Sequence, residues 1–414
     1  MKILFVIDSS FIGPEYIING AKASNLRVIF LTNIYNQGGD AIKEISQGEF
    51  IHCNTESFDE LFKIISCYEK EEIAGIITFL DSKLDICAEL CEQLGVNGLD
   101  KSTIALKSKN YVNLTIPEYV PKSISFNIKQ IPYEKLKEMF SSVESSLILK
   151  PEYTAGGSGV RLLQSEEDIN NIENLIDLDL PEHLRPSDII VQEAIEGELV
   201  SIEGYVFEGE VTYIGSTGRR KINNSESGII FPYDNKIPGN KLDEAKKIIR
   251  CLVERSNYKN GFFHTEFIIS QDNIKLIDGN FGRIGGGNLA EVIAASYKID
   301  AELIYRHAIE ILVNKRELIS REFWKTKEAV SALGIAYGID SEERVIEIKL
   351  KGELKSKHTQ AQHRGYKVAK MGDSNFAWVG LLSGEYNDVL NDINKIDIRT
   401  ESGWKKPIYP KNSL

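Results

Sequence analysis

Cysteine is scarce and odd in number: five in 414 residues, at spacings that suggest no disulfide framework. Cys87 and Cys91 stand four apart and can share a helix face, but no second Cys or His pair completes a zinc site. All five read as reduced residues of a cytoplasmic protein. Long apolar runs are missing too. None approaches the ~20 residues needed to cross a bilayer. The opening "MKILFVIDSSFIG" has five apolar residues, Ile3 to Ile7, before Asp8, so it reads as a first buried strand and not as a secretory signal. Positive charge is not in excess: 49 Lys and Arg face 61 Asp and Glu, a net charge of −12. That excludes a general nucleic-acid binder and leaves room for a local basic patch around a phosphate. Finally, no GxGxxG follows the first strand, where "DSSFIGPE" stands. The fingerprint of a nicotinamide-dependent dehydrogenase is therefore absent.

What is present is an ordinary globular composition, 42% hydrophobic and 27% charged, with length enough for about two to four structural units. Residues 1–98 alternate strand-like runs ("KILFVID", "LRVIFLTN", "IAGIITFL") with helical stretches such as "LDICAELCEQLG". This is a βαβ pattern and predicts a parallel sheet. Residues 99–145 are more polar, hold Pro117, Pro121 and Pro132, and suit a linker with a small helical element. From 146 to 322 the pattern predicts an α+β block of antiparallel strands and helices, with a hairpin turn at Glu208-Gly209. Residues 323–414 add strand-like runs and read as a smaller closing subdomain.

Three stretches carry chemistry. In "GFFHTEFIISQDNIKLIDGN" the strand period puts His264 and Glu266 on one face, and Asp278 and Asn280 on one face of the next strand. A three-residue loop at Gln271-Asp272-Asn273 sets Glu266 opposite Asp278 and His264 opposite Asn280. Facing carboxylates repel, and a divalent cation resolves the conflict; oxygen ligands suit Mg²⁺ and not zinc. The bland alternative is a solvent-facing acid pair matched to lysine or arginine. In "LILKPEYTAGGSGV", Lys150 ends an apolar strand and precedes Gly156, Gly157, Ser158 and Gly159. The lysine precedes the glycines, so this is not a Walker A loop, yet it can serve phosphate in the same way; a plain hairpin turn is the alternative. In "VQEAIEGELVS" the strand end Glu193-Ala194-Ile195 offers backbone groups to an adenine edge, and Glu198 can accept from a ribose.

The order of these stretches resembles the ATP-grasp superfamily, specifically its carboxylate–amine ligases, over most of the chain up to about residue 320. "HTEF" and the later "RIGGG" look most like the L-amino-acid ligase and carnosine-synthase branch. The resemblance implies an N-terminal βαβ domain (1–98), the 99–145 segment, a lid (146–200), a catalytic subdomain (201–322) and a closing subdomain (323–414). It implies ATP on Lys150, on Lys107 or Lys109, on the Gly156–Gly159 loop, on Glu193, Ala194 and Ile195, and on Glu198. Mg²⁺, one ion or two, with Mn²⁺ able to substitute, falls to Glu266, Asp278 and Asn280. By the resemblance Arg283 would stabilise the transferring phosphoryl group or grip a substrate carboxylate, with Gly285 and Gly286 at the substrate. In "STGRRKINN", Arg220 follows a strand where it can meet a substrate carboxylate, a solvated basic turn being the alternative, and His264 can touch the substrate, a hydrogen-bonded structural histidine being the alternative.

The implied activity is ADP-forming ligation of an amino-acid carboxylate to an amino acid or small amine through an acylphosphate. A homodimer is in keeping with related ligases; no membrane partner is implied. A purine-pathway or biotin-carboxylase-like enzyme and a catalytically silent nucleotide-binding regulator are the alternatives. Two departures stand out. Asp278 occupies a position where the family usually has Glu, and one extra residue separates Asn280 from Arg283, which a bulge at Gly279 or Gly282 can absorb.

Overall fold

A computed structural model of the chain describes residues 1–33, 49–143, 146–152, 159–177, 188–223, 225–361, 365–373 and 377–414. The first run of β-branched and apolar residues becomes β1 (Lys2–Ile7), joined by β2 (Leu26–Thr32), β3 (Glu49–His52) and β4 (Ile73–Ile77) in the order β3-β2-β1-β4. Each neighbour is parallel. Helices cover both faces of such a sheet, which is why β1 and β4 are apolar without alternation. The helix Leu84–Leu94 ends where Gly95 adopts φ 62°, a left-handed stop that suits a residue without Cβ.

The 99–145 stretch is not a linker. It forms helices Lys101–Lys107 and Lys109–Thr115, then β5 (Ser123–Asn127) and the helix Tyr133–Ser142. β5 belongs to a second sheet with β6 (Leu147–Pro151), β7 (Arg161–Leu163) and β8 (Asp188–Glu193), ordered β5-β8-β6-β7. Its prolines sit at the ends of these elements, where a missing N–H costs nothing.

The largest sheet begins with β9 (Glu198–Phe207) and β10 (Glu210–Ile222). Their hairpin turns at Glu208 (φ 54°) and Gly209 (φ 83°), two positive values in a two-residue loop, as the strand twist requires. β11 (Ser225–Phe231), β12 (Gly261–Ile269) and β13 (Ile274–Phe281) follow. Phe262 and Phe263 point to opposite faces of the sheet. Phe262 joins a core made with the N-terminal unit and the helices Leu289–Tyr297 and Ala301–Ile309. Phe263 joins a core built on the helix Lys241–Ser256, whose Ile248, Ile249 and Leu252 are fully buried.

The closing region is shared between sheets. β14 (Ala332–Tyr337), β16 (Lys357–Gln360) and β18 (Gly380–Glu385) extend the large sheet, which runs β13-β12-β9-β10-β11-β14-β18-β16. Only β15 (Glu343–Leu350), β17 (Lys367–Val368), β19 (Ile396–Thr400) and β20 (Gly403–Lys405) form a small sheet of their own. The five cysteines are free thiols, and among the described residues no helix is long and apolar enough to cross a membrane.

Candidate active site

β12 and β13 pair as the side-chain period predicts, by a route the sequence reading did not foresee. Ile269 pairs with Ile274, so the loop holds four residues, and that register alone would put Glu266 beside Ile277. A shift between Glu266 and Phe267 leaves Ile277 unpaired and restores Glu266 opposite Asp278 and His264 opposite Asn280. The bulge also presents a carbonyl: Lys150 Nζ, reaching across from β6, donates to Ile277 O at 3.1 Å.

Lys150 is buried. Burial pushes its ammonium down to about 8; Asp278 opposes the shift and the charge of Lys109 adds to it. Of the two nucleotide lysines, Lys109 turns toward this spot: its Nζ lies 4.0 Å from Asp278 Oδ2 and donates to Glu152 O at 3.2 Å. Lys107 instead pairs with Asp85 at 2.7 Å. Both face a small cleft with Asp81, Asp278 and Asn280. Glu152 is buried and takes bonds from Ser108 Oγ (2.6 Å) and the Asn110 N–H (2.9 Å), which fixes the start of the helix carrying Lys109.

The extra residue before Arg283 is absorbed at Gly282. Its φ of 92° turns the chain out of β13, and a Cβ there would lie 2.5 Å from Thr103 Cγ2. Arg283 then folds back, with Nη2 3.4 Å from Asn280 Oδ1 and Nε 3.3 Å from Asp81 Oδ1. Asp81 stands just after β4, so the guanidinium joins the N-terminal unit to the acidic strand pair.

Beside this edge lies a buried ionic chain. His264 Nδ1 meets both oxygens of Glu203, at 2.8 and 3.0 Å. His264 Nε2 lies 3.2 Å from Glu266 Oε1 and 3.1 Å from Arg219 Nη1. Ser201 and Thr217 hydroxyls donate to Glu203 Oε1 at 2.7 and 3.0 Å. Burial alone would discharge the imidazole, but Glu203 outweighs it and raises His264 to about 9. Burial likewise acts to raise Glu266, and the His264 hydrogen bond and charge, with Arg219, hold it below the usual carboxylate range. Arg219 pairs with Glu226, and its Nε has no hydrogen-bond partner among the described residues.

Arg220, expected at the substrate, points elsewhere: it bonds Glu198 Oε1 (2.9 Å) and Tyr233 OH (2.9 Å), and Tyr233 OH donates to Glu198 at 2.6 Å. At the junction of β8 and β9 the N–H groups of Glu193 and Ala194 already serve Lys122 O and Ser146 O, both at 2.9 Å. Gly159 (φ 73°) is placed at the head of β7; Gly156, Gly157 and Ser158 lie outside the described residues. Gly285 packs on the imidazole, where a Cβ would come within 2.8 Å of His264 Nδ1; Gly286 is open, with nothing within 4 Å of such a Cβ.

Glu203, Asp81 and Glu152 were missed by sequence reasoning. Glu203 had a signal, a lone acid inside the apolar run "LVSIEGYVF" that must find a partner when buried. No group of three or more His, Cys, Asp or Glu among the described residues is arranged to hold a metal, so the acidic edge consists of Glu266 and Asp278 with the Asn280 amide.

Residues 143–291 match the ATP-grasp domain. Alanine–anticapsin ligase of Bacillus subtilis (strain 168) is 24% identical over 237 residues, a stretch that spans 51% of this chain and about half, 49%, of that relative. The L-amino acid ligase of Bacillus licheniformis superposes with a TM-score of 0.72 at 16% identity, covering 96% of this chain and 98% of its own. The biotin carboxylase domain of Hydrogenobacter thermophilus 2-oxoglutarate carboxylase gives 0.75 at 17% identity, over 98% and 91%. At these identities the superpositions speak for the fold alone. Residues 143–291 of the chain carry an ATP-grasp domain.

Proposed function

We propose that the protein is an ADP-forming carboxylate–amine ligase that joins an amino acid to an amino acid or small amine. The observation that carries this reading is the convergence of Lys150, Lys109 and Arg283 on the strand pair bearing Glu266, Asp278 and Asn280. Cations there meet phosphate oxygens, and Lys150 on β6 approaches from the sheet that faces the acids. The oxygen-only donor set Glu266, Asp278 and Asn280 fits Mg²⁺, with phosphate and water supplying its other ligands. When bound, the ion neutralises charge on the phosphoryl oxygens. With two backbone N–H groups already engaged, the adenine amide contact falls to Ile195, and Glu198 serves the ribose after release from Arg220.

In this reading a substrate carboxylate oxygen attacks the γ-phosphorus of ATP, the β–γ bridging bond breaks, and ADP leaves. The amine nitrogen then attacks the acyl carbon, loses a proton, and phosphate departs with the former carboxylate oxygen. The chain's part is placement and charge: Lys150 and Arg283 hold the transferring group, and His264, fixed by Glu203, keeps Glu266 ionised and aimed. The proposal includes a cytoplasmic location and a homodimer, the latter measured by light scattering.

The test is a panel of amino acids and amine acceptors scored for ATP-dependent phosphate release, with products weighed by mass spectrometry. An amide product from an amino-acid pair supports the reading. Release driven only by bicarbonate, with no amide formed, replaces it by a carboxylase-like reaction.

A further inference from the structure

At the end of the N-terminal sheet remote from the acidic strand pair lies a cleft that the proposed reaction does not use. The sheet is parallel, so the amino ends of β1, β2 and β4 share one edge, where Lys2, Leu26 and Ile73 stand. Asp81, which meets Arg283, follows the carboxyl end of β4, roughly 16 Å away along a five-residue strand. The cleft holds about 370 Å³, within the roughly 300–1,000 Å³ usual for small-molecule sites.

Its charged lining is of one sign. Lys2 and Lys70 bring ammonium groups, Asn25, Asn97 and Asn314 bring amides, and among the described residues no aspartate or glutamate lines it. Neither ammonium has an ion pair among the described residues. Glu72, close to Lys70 in sequence, is turned back to accept from the Glu69 N–H at 3.2 Å. In a chain of net charge −12 this is a local reversal of sign. Lys70 Nζ also lies over Gly95, where a Cβ would come within 2.7 Å of it, so the ammonium holds this place only because residue 95 has no side chain.

The walls are fixed by a buried carboxylate that the reaction does not use either. Glu310 is fully buried; it accepts from Ser24 Oγ at 2.6 Å and Asn314 Nδ2 at 2.9 Å, and pairs with Arg316 at 2.9 Å. Asn25 follows Ser24, and Val313 and Asn314 end a π-helical turn, Glu310–Asn314. Such turns are rare and frequent at functional sites. Asn97 Nδ2 donates to Val313 O at 2.8 Å, which ties a third wall to the same turn. The amide nitrogens of Asn97 and Asn314 each keep a second N–H for a ligand. A cleft held in shape before its ligand arrives binds at a lower ordering cost.

We propose that this cleft binds a small organic anion, a carboxylate or a phosphate ester, with Lys2 and Lys70 meeting its charge and the asparagine amides its remaining oxygens. Its place at the amino ends of the strands lets it fill while the catalytic edge is occupied. This holds whichever acid and amine the protein joins.

Calorimetric titration of the full-length protein at low salt tests the site. The probes are succinate, glycerol 3-phosphate and, as the uncharged control, glycerol, each with and without saturating MgADP. At least one anion is expected to bind at one site, with glycerol silent and MgADP without effect; the tighter of the two anions identifies the headgroup. The double variant Lys2→Met, Lys70→Met should weaken binding about tenfold, the order that two partly exposed ion pairs contribute. Both lysines are exposed, so the double variant keeps the fold. Gly95→Asn, which tolerates the left-handed backbone and puts a side chain under Lys70, should weaken it too. Lys150→Met, at the catalytic edge, should leave it unchanged. Binding that MgADP or Lys150→Met abolishes and the lysine pair does not would put the anion at the catalytic edge and overturn the proposal. Equal binding by every form, or no binding of either anion at millimolar concentration, would overturn it as well.

Discussion

Lys150 donates to the carbonyl of Ile277 at 3.1 Å, and that carbonyl is presented by the one-residue bulge that brings Glu266 opposite Asp278. One irregularity in β13 therefore does two things: it sets the register of the acids and anchors the lysine that faces them. The lysine is buried beside Lys109, and its charge is held less firmly than that of a surface lysine.

Binding of ATP should follow that charge. The folded pKa of Lys150 is depressed to about 8, so the ammonium is fully present below pH 7 and is lost as pH rises through 8. The KM for ATP should climb between pH 7.5 and 9 by about tenfold per unit above the pKa. Lys150→Arg, which stays charged throughout, should show a flat profile; a rise of equal size in the variant would assign the effect to another group.

Glu266→Gln keeps the shape of the acid and removes its charge. Turnover should fall by about 10² or more, as expected when a phosphoryl-transfer site loses a metal ligand. The KM for ATP measured with excess Mg²⁺ should change far less than kcat. Unchanged turnover would remove Glu266 from the reaction.

Gly285 and Gly286 separate packing from opening. A methyl group at Gly285 meets Leu289 Cδ2 at 2.4 Å and the His264 ring at 2.8 Å, whereas one at Gly286 meets nothing. Gly285→Ala should cost about 1–3 kcal/mol of stability in a denaturant titration, the usual penalty of overpacking. Gly286→Ala should stay within about 0.5 kcal/mol. Equal losses would mean that the run does not pack as described.

His307 tests the core under the central sheet. It is fully buried and accepts from the N–H groups of Leu318 and Ile319 at 3.0 and 3.2 Å through Nδ1. Burial lowers it to about 3. The unfolded imidazole, near 6.5, then binds the proton the folded one refuses, so stability is present above pH 6.5 and is lost as pH falls toward 3. The loss is about 1.4 kcal/mol per pH unit, or about 2 kcal/mol by pH 5. Unfolding free energies from urea titrations at pH 7 and 5 should differ by that much more in the natural protein than in His307→Gln, whose amide can accept the same two bonds without titrating.

Local pattern made much of this legible. The βαβ opening and the Glu208-Gly209 turn follow from periods of two and 3.6 and from turn chemistry, whereas the pairing of Glu266 with Asp278, expected from a three-residue loop, is reached through a four-residue loop and a bulge that the period does not show. Lys150 was marked by a charge ending an apolar strand. Residues that act through partners distant in sequence were not legible. Glu203 meets His264 only because β9 lies beside β12, and Asp81 reaches Arg283 across 202 positions. Lys109 could not be separated from Lys107 by spacing, since the turn of the helix start, capped by Ser108, decides which one faces Asp278. The 99–145 segment misled for a related reason: its strand is polar at the surface and gains meaning only beside β8.

The most direct test follows one oxygen. An amino-acid substrate labelled with ¹⁸O in its carboxylate is turned over with ATP, Mg²⁺ and an amine acceptor, and the released phosphate is analysed by mass spectrometry. Phosphorylation of the carboxylate followed by attack of the amine transfers one ¹⁸O to phosphate for each amide formed. Phosphate without label, at matched amide yield, would contradict an acylphosphate and with it the mechanism proposed for Lys150, Glu266, Asp278 and Arg283.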